Sequence, residues 1–330
     1  MSRERIRGIF QEAGLIWLET KVRFKKPAMI AESLNADRRY ARHKAMIAGL
    51  ILLFFLSVVG ICSASDYSKT PVFFIHGHEC SAGDFVFIIN ELEKSGYPRS
   101  YLKAIQLTPD NGANIEAAEL QIAPAIENFL TGINSRLKKT KPSIPPKTKI
   151  DLVSHSMGAL SARWYAARIR PDRVRVWLSL AGASHGTDVL CGFKDPGSRD
   201  LCPAYAGSDR ESRIQYALNG DPRVRDADET PYGVGKDAPG VNVIRPERSR
   251  NILYISIRTT PDRALRPESS PILDGAGGAI GLLPSGVPAE ETSPGNILMK
   301  NRTGHDEMLS DAATIHVVRS ILERADTSLK

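Results

Sequence analysis

The stretch KIDLVSHSMGALSARWY, from Lys149 to Tyr165, constrains the fold more than any other part of the chain. KIDLV reads as a short buried strand, and from Met157 to Arg170 the apolar residues fall at helical spacing, with Pro171 just past the end. A strand that passes into a helix this abruptly needs a sharp turn, and a serine on that turn is held exposed at the end of the sheet. So tight a turn accepts only small residues two before and two after the serine. Around Ser156 these are Ser154 and Gly158; around Ser154 they would be Leu152 and Ser156, and Leu152 is too large. The register selects Ser156 as the candidate nucleophile. The following helix aims its N-terminus at the turn, which favours negative charge developing there.

The rest of the chain supplies the sheet such a turn requires. Val72 to Ile75, bounded by Pro71 and Gly77, reads as a buried strand, DFVFIINELEKSGYP as a helix and YLKAIQL as a second strand. A long amphipathic helix is expected from about Asn114 to Lys138, with a kink at Pro124. RVRVWLSLAGA is a further buried strand. Residues from about 184 to 250 are rich in glycine, proline and charge, with one helical piece at DRESRIQYALNGD. NILYISIRT is a strand, followed by a Gly/Pro-rich loop to Asn296, a short strand ILMKN and a final helix from about Glu307 to Glu323. Strands alternating with helices predict an α/β fold, a mostly parallel sheet with helices on both faces.

With 330 residues, 42% of them hydrophobic, the chain can bury a sizeable core. Three segments are expected: a basic stretch 1–44, an apolar stretch 45–64 and a catalytic domain 65–330. The formal net charge of +7 is largely a feature of the first segment. No basic stripe is interleaved with aromatics, so nucleic acid is not an expected partner. Residues 45–61 carry no charge and have the length of a secretory h-region. Cleavage after Ala64 would release the domain; an uncleaved stretch would leave it attached to a membrane through residues 45–61. Either outcome exports the domain, with the basic side in the cytoplasm. The 44 residues before the apolar stretch are long for an n-region, and a start at Met29 would shorten them. In an oxidising compartment Cys191 and Cys202, bracketing the short loop CGFKDPGSRDLC, are expected to form a disulfide, with Cys80 left over.

A serine nucleophile needs a neutral histidine to take its proton and an acid to orient that histidine. Of seven histidines, His43 precedes the apolar stretch, and His76, His78 and His155 belong to the loops around the first strand and the serine. His185 comes before any candidate acid, and His316 lies inside the final helix, where burial explains it. His305, in NRTGHDEM between the last strand and the last helix, is the candidate base. Asp262, just past the strand NILYISIRT, is the preferred acid; Asp274 in the next loop is its rival, in an Asp-Gly pair that also suits a turn. Asp306 is read as a cap for the final helix. Two preorganised N–H donors are needed for an oxyanion. The backbones of Met157, directly after the serine, and of His78, in HGHEC after the first strand, are the candidates, and the rings of His76 and His78 are expected to shape that loop.

With these residues in place, the chain resembles the α/β-hydrolase fold, and within it the small secreted bacterial triacylglycerol lipases of the class 2 group. The matching stretches are PVFFIHGH, DLVSHSMGALSARWY, VWLSLAGASHGT, LNGD with DETP, ILYISIRTTPDRALRPESS and ILDGA, from about Pro71 to the end. The resemblance implies a Ser/Asp/His ester hydrolase with its acid at Asp262 and oxyanion donors at His78 and Met157. It implies an ester or lipid substrate, an acyl-enzyme, and no metal or organic cofactor. Ser154 stands where the group has glycine or alanine, and residues 184–250 are longer and more charged than in its smallest members. The same triad would serve an amidase or a thioesterase. A catalytically silent, membrane-tethered binding protein is the alternative from another class.

Overall fold

A computed structural model of the chain describes residues 65–203, 213–219, 251–273, 283–300 and 303–328. The N-terminal segments 1–44 and 45–64 lie outside the described residues, as do Met29 and Asp274. No helix among the described residues is long and apolar enough to cross a membrane.

Seven strands form one sheet in the order β2-β1-β3-β4-β5-β7-β6. They are β1 (Val72–Ile75), β2 (Leu102–Ile105), β3 (Ile150–His155), β4 (Val174–Leu180), β5 (Leu253–Thr259), β6 (Ala289–Ser293) and β7 (Asn296–Met299). All pairs are parallel except β6–β7. Every residue of β1, β3 and β4 is buried, which is why VFFI of β1 is wholly apolar and β3 and β4 are predominantly so. Side chains alternate between the two faces. Phe74, Val153, Leu178 and Ile255 pack with α1 (Val86–Lys94) and the C-terminal helix, while Phe73, Leu152, Trp177 and Tyr254 pack on the other side. That second layer includes α2 (Ala123–Thr140), whose buried Ile126, Phe129, Leu130, Ile133 and Leu137 follow helical spacing. Completing the helices are α3 (Gly158–Trp164), α4 (Pro196–Leu201), α5 (Arg213–Asn219) and α6 (Ala312–Ser328). A mostly parallel sheet, covered on both faces and with a strand–turn–helix at a serine after the interior strand β3, is the α/β-hydrolase fold.

Three local expectations change. The long helix from Asn114 runs through a π turn, Ala117–Ile122, immediately before Pro124, with the N–H of Ala123 bonded to the carbonyl of Ala118. Proline offers no N–H and its ring crowds the preceding turn, and the wider turn takes up both defects. The loop expected up to Asn296 contains β6, an antiparallel edge strand of sequence AEETS with no buried residue. A polar, solvent-facing strand has no apolar run to announce it. Asp306 makes no side-chain cap bond; the C-terminal helix is capped by Asp311, whose Oδ2 accepts from the Thr314 N–H at 2.8 Å.

One buried charge network ties the sheet to α6. Arg175 on β4 donates from Nε to Asp151 of β3 at 2.9 Å and from Nη1 to Asp326 of α6 at 2.7 Å. Asp326 also accepts from the Tyr97 hydroxyl and the Thr70 N–H. Burial pushes the Asp151 carboxyl up to about 6, and the Arg175 guanidinium works against that rise. Removing the arginine would strand a fully buried carboxylate. Arg175→Ala should therefore lower the unfolding free energy by about 3–5 kcal/mol. Arg173→Ala, which breaks a partly exposed pair with Glu127, should cost about 1 kcal/mol or less. Urea unfolding of both variants checks the contrast, and equal losses would refute it.

Candidate active site

Ser156 sits directly after β3 at φ 51°, in the left-handed region that residues with a Cβ seldom occupy. The turn is fastened on all sides. Its N–H donates to the Leu180 carbonyl at 3.1 Å, and its carbonyl accepts from Ala159 and Ala183 at 3.1 and 3.2 Å. A Cβ on Gly158 would lie 2.4 Å from the His76 carbonyl oxygen, and one on Gly77 would lie 2.8 Å from the Ser156 Cβ. Ser154 fits fully buried at the other small position, its hydroxyl donating to the Leu178 carbonyl at 3.2 Å. Serine there does what the usual glycine or alanine would do, with its hydroxyl satisfied.

The structure brings the three predicted side chains together. His305, between β7 and α6, has Nε2 2.8 Å from the Ser156 Oγ and Nδ1 2.8 Å from Asp262 Oδ2. Asp262 lies just past β5 and is buried; its Oδ1 accepts from the N–H groups of Ala264 and Leu265 at 2.9 and 3.2 Å. With a carboxylate at Nδ1, that nitrogen carries the proton and Nε2 is free to accept from the serine hydroxyl. Both candidate oxyanion residues adjoin the serine. Met157 follows it directly, His78 lines the same cleft, and among the described residues neither backbone N–H has a protein acceptor.

The other described histidines have structural partners. His76 donates from Nδ1 to the Gly77 carbonyl and accepts the Leu107 N–H at Nε2, fixing the loop after β1 as expected. The His78 ring reaches Asp195 and Ser198. His185 bonds the Ser270 carbonyl, and His316 accepts from Arg319. His155 was missed as a member of the site. Fully buried, it places Nε2 3.1 Å from the backbone carbonyl of His305, and the two rings lie 4.9 Å apart. Its position before the serine was the one signal available.

Cys191 and Cys202 form the expected disulfide. Cys80 is free and half-buried at the cleft, where burial, with Asp306 and Asp84 nearby, pushes its thiol up to about 11. The ligating atoms of Cys80, His155 and Asp306 lie within 4.8 Å of one another. The His155 Nε2 is already engaged with the His305 carbonyl, so the trio is not an open ligand set.

The cleft above Ser156 encloses about 310 Å³. Leu190, Leu201, Ala264 and Leu265 give it an apolar wall, while Glu79 and Asp306 line it with polar groups. Within 184–250, the described part 184–203 thus supplies wall residues, and residues 204–212 and 220–250 lie outside the described residues. A larger groove of about 450 Å³ beside α2, lined by Asn134, Leu137, Lys138 and Pro142, is remote from these groups.

No family model and no curated protein matches the chain. Among solved structures it is similar to the mature form of a Bacillus licheniformis lipase, with 13% identity and a TM-score of 0.40 over 60% of this chain and 68% of that one. The same enzyme in its propeptide form is spanned over 37% of its length. Aspergillus fumigatus lipase B gives 14% identity and a TM-score of 0.44, over 81% of this chain and 64% of that one. A Listeria innocua gene product gives 12% and 0.42, over 78% and 94%.

His155 makes acid stability depend on the site. Burial, joined by the charge of His305, pushes its imidazole down to about 3 from an ordinary 6.5. Between these values the unfolded chain binds a proton that the folded chain refuses, so the term destabilises the fold progressively as pH falls below 6.5. One such proton corresponds to about 1.4 kcal/mol per pH unit. His155→Gln should flatten the dependence of unfolding free energy on pH between about 4 and 6 by up to that slope. An unchanged slope would mean that His155 is protonated in the folded protein.

Proposed function

We propose that the chain is a serine hydrolase that cleaves carboxylic esters, acylglycerols among them, through an acyl-enzyme. The observation that carries this reading is the unbroken relay from the Ser156 Oγ to His305 and on to Asp262, with both contacts at 2.8 Å. His305 Nε2 takes the hydroxyl proton as Oγ attacks the ester carbonyl. Asp262 keeps the imidazole in the accepting tautomer and stabilises the imidazolium that forms. The backbone N–H groups of His78 and Met157 receive the negative oxygen of the tetrahedral intermediate. The imidazolium then protonates the leaving alcohol, and water, activated by the same ring, releases the acid and restores Ser156. Side chains account for every proton transfer, so the reading requires neither metal nor organic cofactor.

The lining of the cleft supports this substrate class: its apolar residues suit an acyl chain, and Glu79 and Asp306 suit a polar alcohol while repelling the carboxylate product. The basic and apolar N-terminal stretches, together with the Cys191–Cys202 disulfide, support an exported enzyme.

The purified full chain should hydrolyse para-nitrophenyl esters. Ser156→Ala and His305→Ala should each lose on the order of 10⁶ in kcat, and Asp262→Asn about 10⁴. Profiling acyl lengths from acetate to palmitate separates a short-chain esterase from a lipase. A folded wild type inert to all of these esters but active on amides or thioesters would replace the ester reading. Inertness to all three classes would leave the silent binding protein.

A further inference from the structure

The loop that carries the candidate oxyanion residue His78 is poorly held by its own backbone. Glu79 within it stands at φ 54°, and the local backbone bonds are long: Glu79 N–H to Asp110 at 3.3 Å and Cys80 N–H to Gly77 at 3.4 Å. A strained loop keeps one conformation only when its surroundings over-determine it. His76 holds the start of the loop at Gly77 with a bond of 2.8 Å, but at His78 itself the short contact comes from a segment far away in sequence. The His78 ring, 12% exposed, has Nε2 2.9 Å from Asp195 Oδ1 and 3.1 Å from the Ser198 Oγ.

Asp195 and Ser198 belong to the loop closed by Cys191–Cys202, and that loop is itself fixed. Asp195 caps α4 by accepting the Ser198 N–H at 2.9 Å. Gly197 donates to the Asn111 carbonyl at 2.8 Å, and Asp200 accepts from the Asn114 N–H at 2.7 Å. The same segment reaches the second oxyanion residue. A Cβ on Gly197 would lie 2.8 Å from Met157 Sδ, so the backbone there presses on the Met157 side chain. One disulfide-closed segment therefore supports both residues that offer an N–H to the oxyanion.

We propose that the Cys191–Cys202 loop is the clasp of the oxyanion hole, and that the His78 imidazole is a positioning group that fixes its own backbone N–H through Asp195 and Ser198. This rests on the hydrolase reading above. The ring does no proton transfer; its bond to the loop holds the Cα, and with it the amide, where charge develops. Misplaced donors weaken transition-state binding and leave ground-state binding intact.

The test uses the full chain with His78→Phe, which keeps a ring but no Nε2, His78→Gln, whose amide can reach Asp195, and the double variant Cys191→Ala/Cys202→Ala. Two readouts are taken: kcat and KM on para-nitrophenyl butyrate, and amide hydrogen exchange of residues 77–80. Losing a whole oxyanion donor costs roughly 10²–10³ in kcat, so His78→Phe should lower kcat about 10-fold or more with KM within about twofold. Exchange of residues 77–80 should speed up, and His78→Gln should recover most of both effects. The cysteine variant should move both readouts the same way, and adding it to His78→Phe should cost little more. Should it fail to fold, the two His78 variants decide alone. Wild-type kcat in His78→Phe, unchanged exchange, or a rise in KM matching the loss in kcat would each overturn the proposal. A wild type inert to esters, amides and thioesters would overturn the hydrolase reading and the catalytic half of the proposal, while exchange would still decide the clasp.

Discussion

The left-handed backbone at Ser156 is the constraint on which the candidate site depends. For a residue with a Cβ that conformation costs roughly 1–2 kcal/mol, so it exists only because its neighbours leave no alternative. They do so by contact. Gly77 and Gly158 let the ends of β1 and α3 approach closer than any Cβ allows, and Leu180 and Ala183 hold the serine's amide and carbonyl. The result is a hydroxyl that cannot turn back against the sheet, presented to a histidine that arrives from 149 residues away. The small residues flanking the serine are therefore as much a part of the site as the serine itself.

Electrostatics around His305 follow from burial. Asp262 would be costly to bury as an anion on its own, but two backbone amides and the imidazole satisfy its oxygens. A second ring 4.9 Å from His305 would oppose the formation of imidazolium if it were charged. Full burial keeps His155 neutral near neutral pH, so that neighbour can brace the His305 backbone without repelling the charge that His305 would accept in the proposed reaction. Burial keeps the His155 imidazole uncharged.

Much of this was legible in the sequence, for an identifiable reason. Strands covered on both faces are predominantly apolar, and β1, β3, β4 and β5 advertise themselves in VFFI, IDLVSH, VRVWLSL and LYISIRT. The small residues around Ser156 are dictated by a local turn and could be read locally. So could the order of serine, acid and histidine along the chain. What escaped had no local cause. β6 has no buried residue and exists because β7 offers an edge to pair with. Asp311, not Asp306, caps the last helix because a short 3₁₀ turn, Glu307–Leu309, intervenes and shifts the start. The bond from His78 to Asp195 spans 117 residues, and no spacing rule reaches so far.

Sheet order explains why the site is assembled from these loops and no others. Parallel strands deliver all their C-terminal ends to one edge, and β1, β3, β4, β5 and β7 stand side by side there. His78 follows β1 and Ser156 follows β3, so the loop carrying the candidate oxyanion residue lies beside the serine as a consequence of adjacency. Asp262 follows β5 and His305 follows β7, which lets the histidine reach back over the acid toward the serine. The strand left between serine and acid is β4. Its following segment, from Ala181 onward, must therefore emerge in the middle of the site. It does so as the cleft wall at Ala183, Thr187 and Leu190 and then as the disulfide loop that meets His78 and Met157. In the proposed reaction a segment in that place would touch the substrate on one side and the loop of His78 on the other. Variation along it would then change substrate fit and catalytic geometry together, whereas variation in β6 at the far edge of the sheet would change neither.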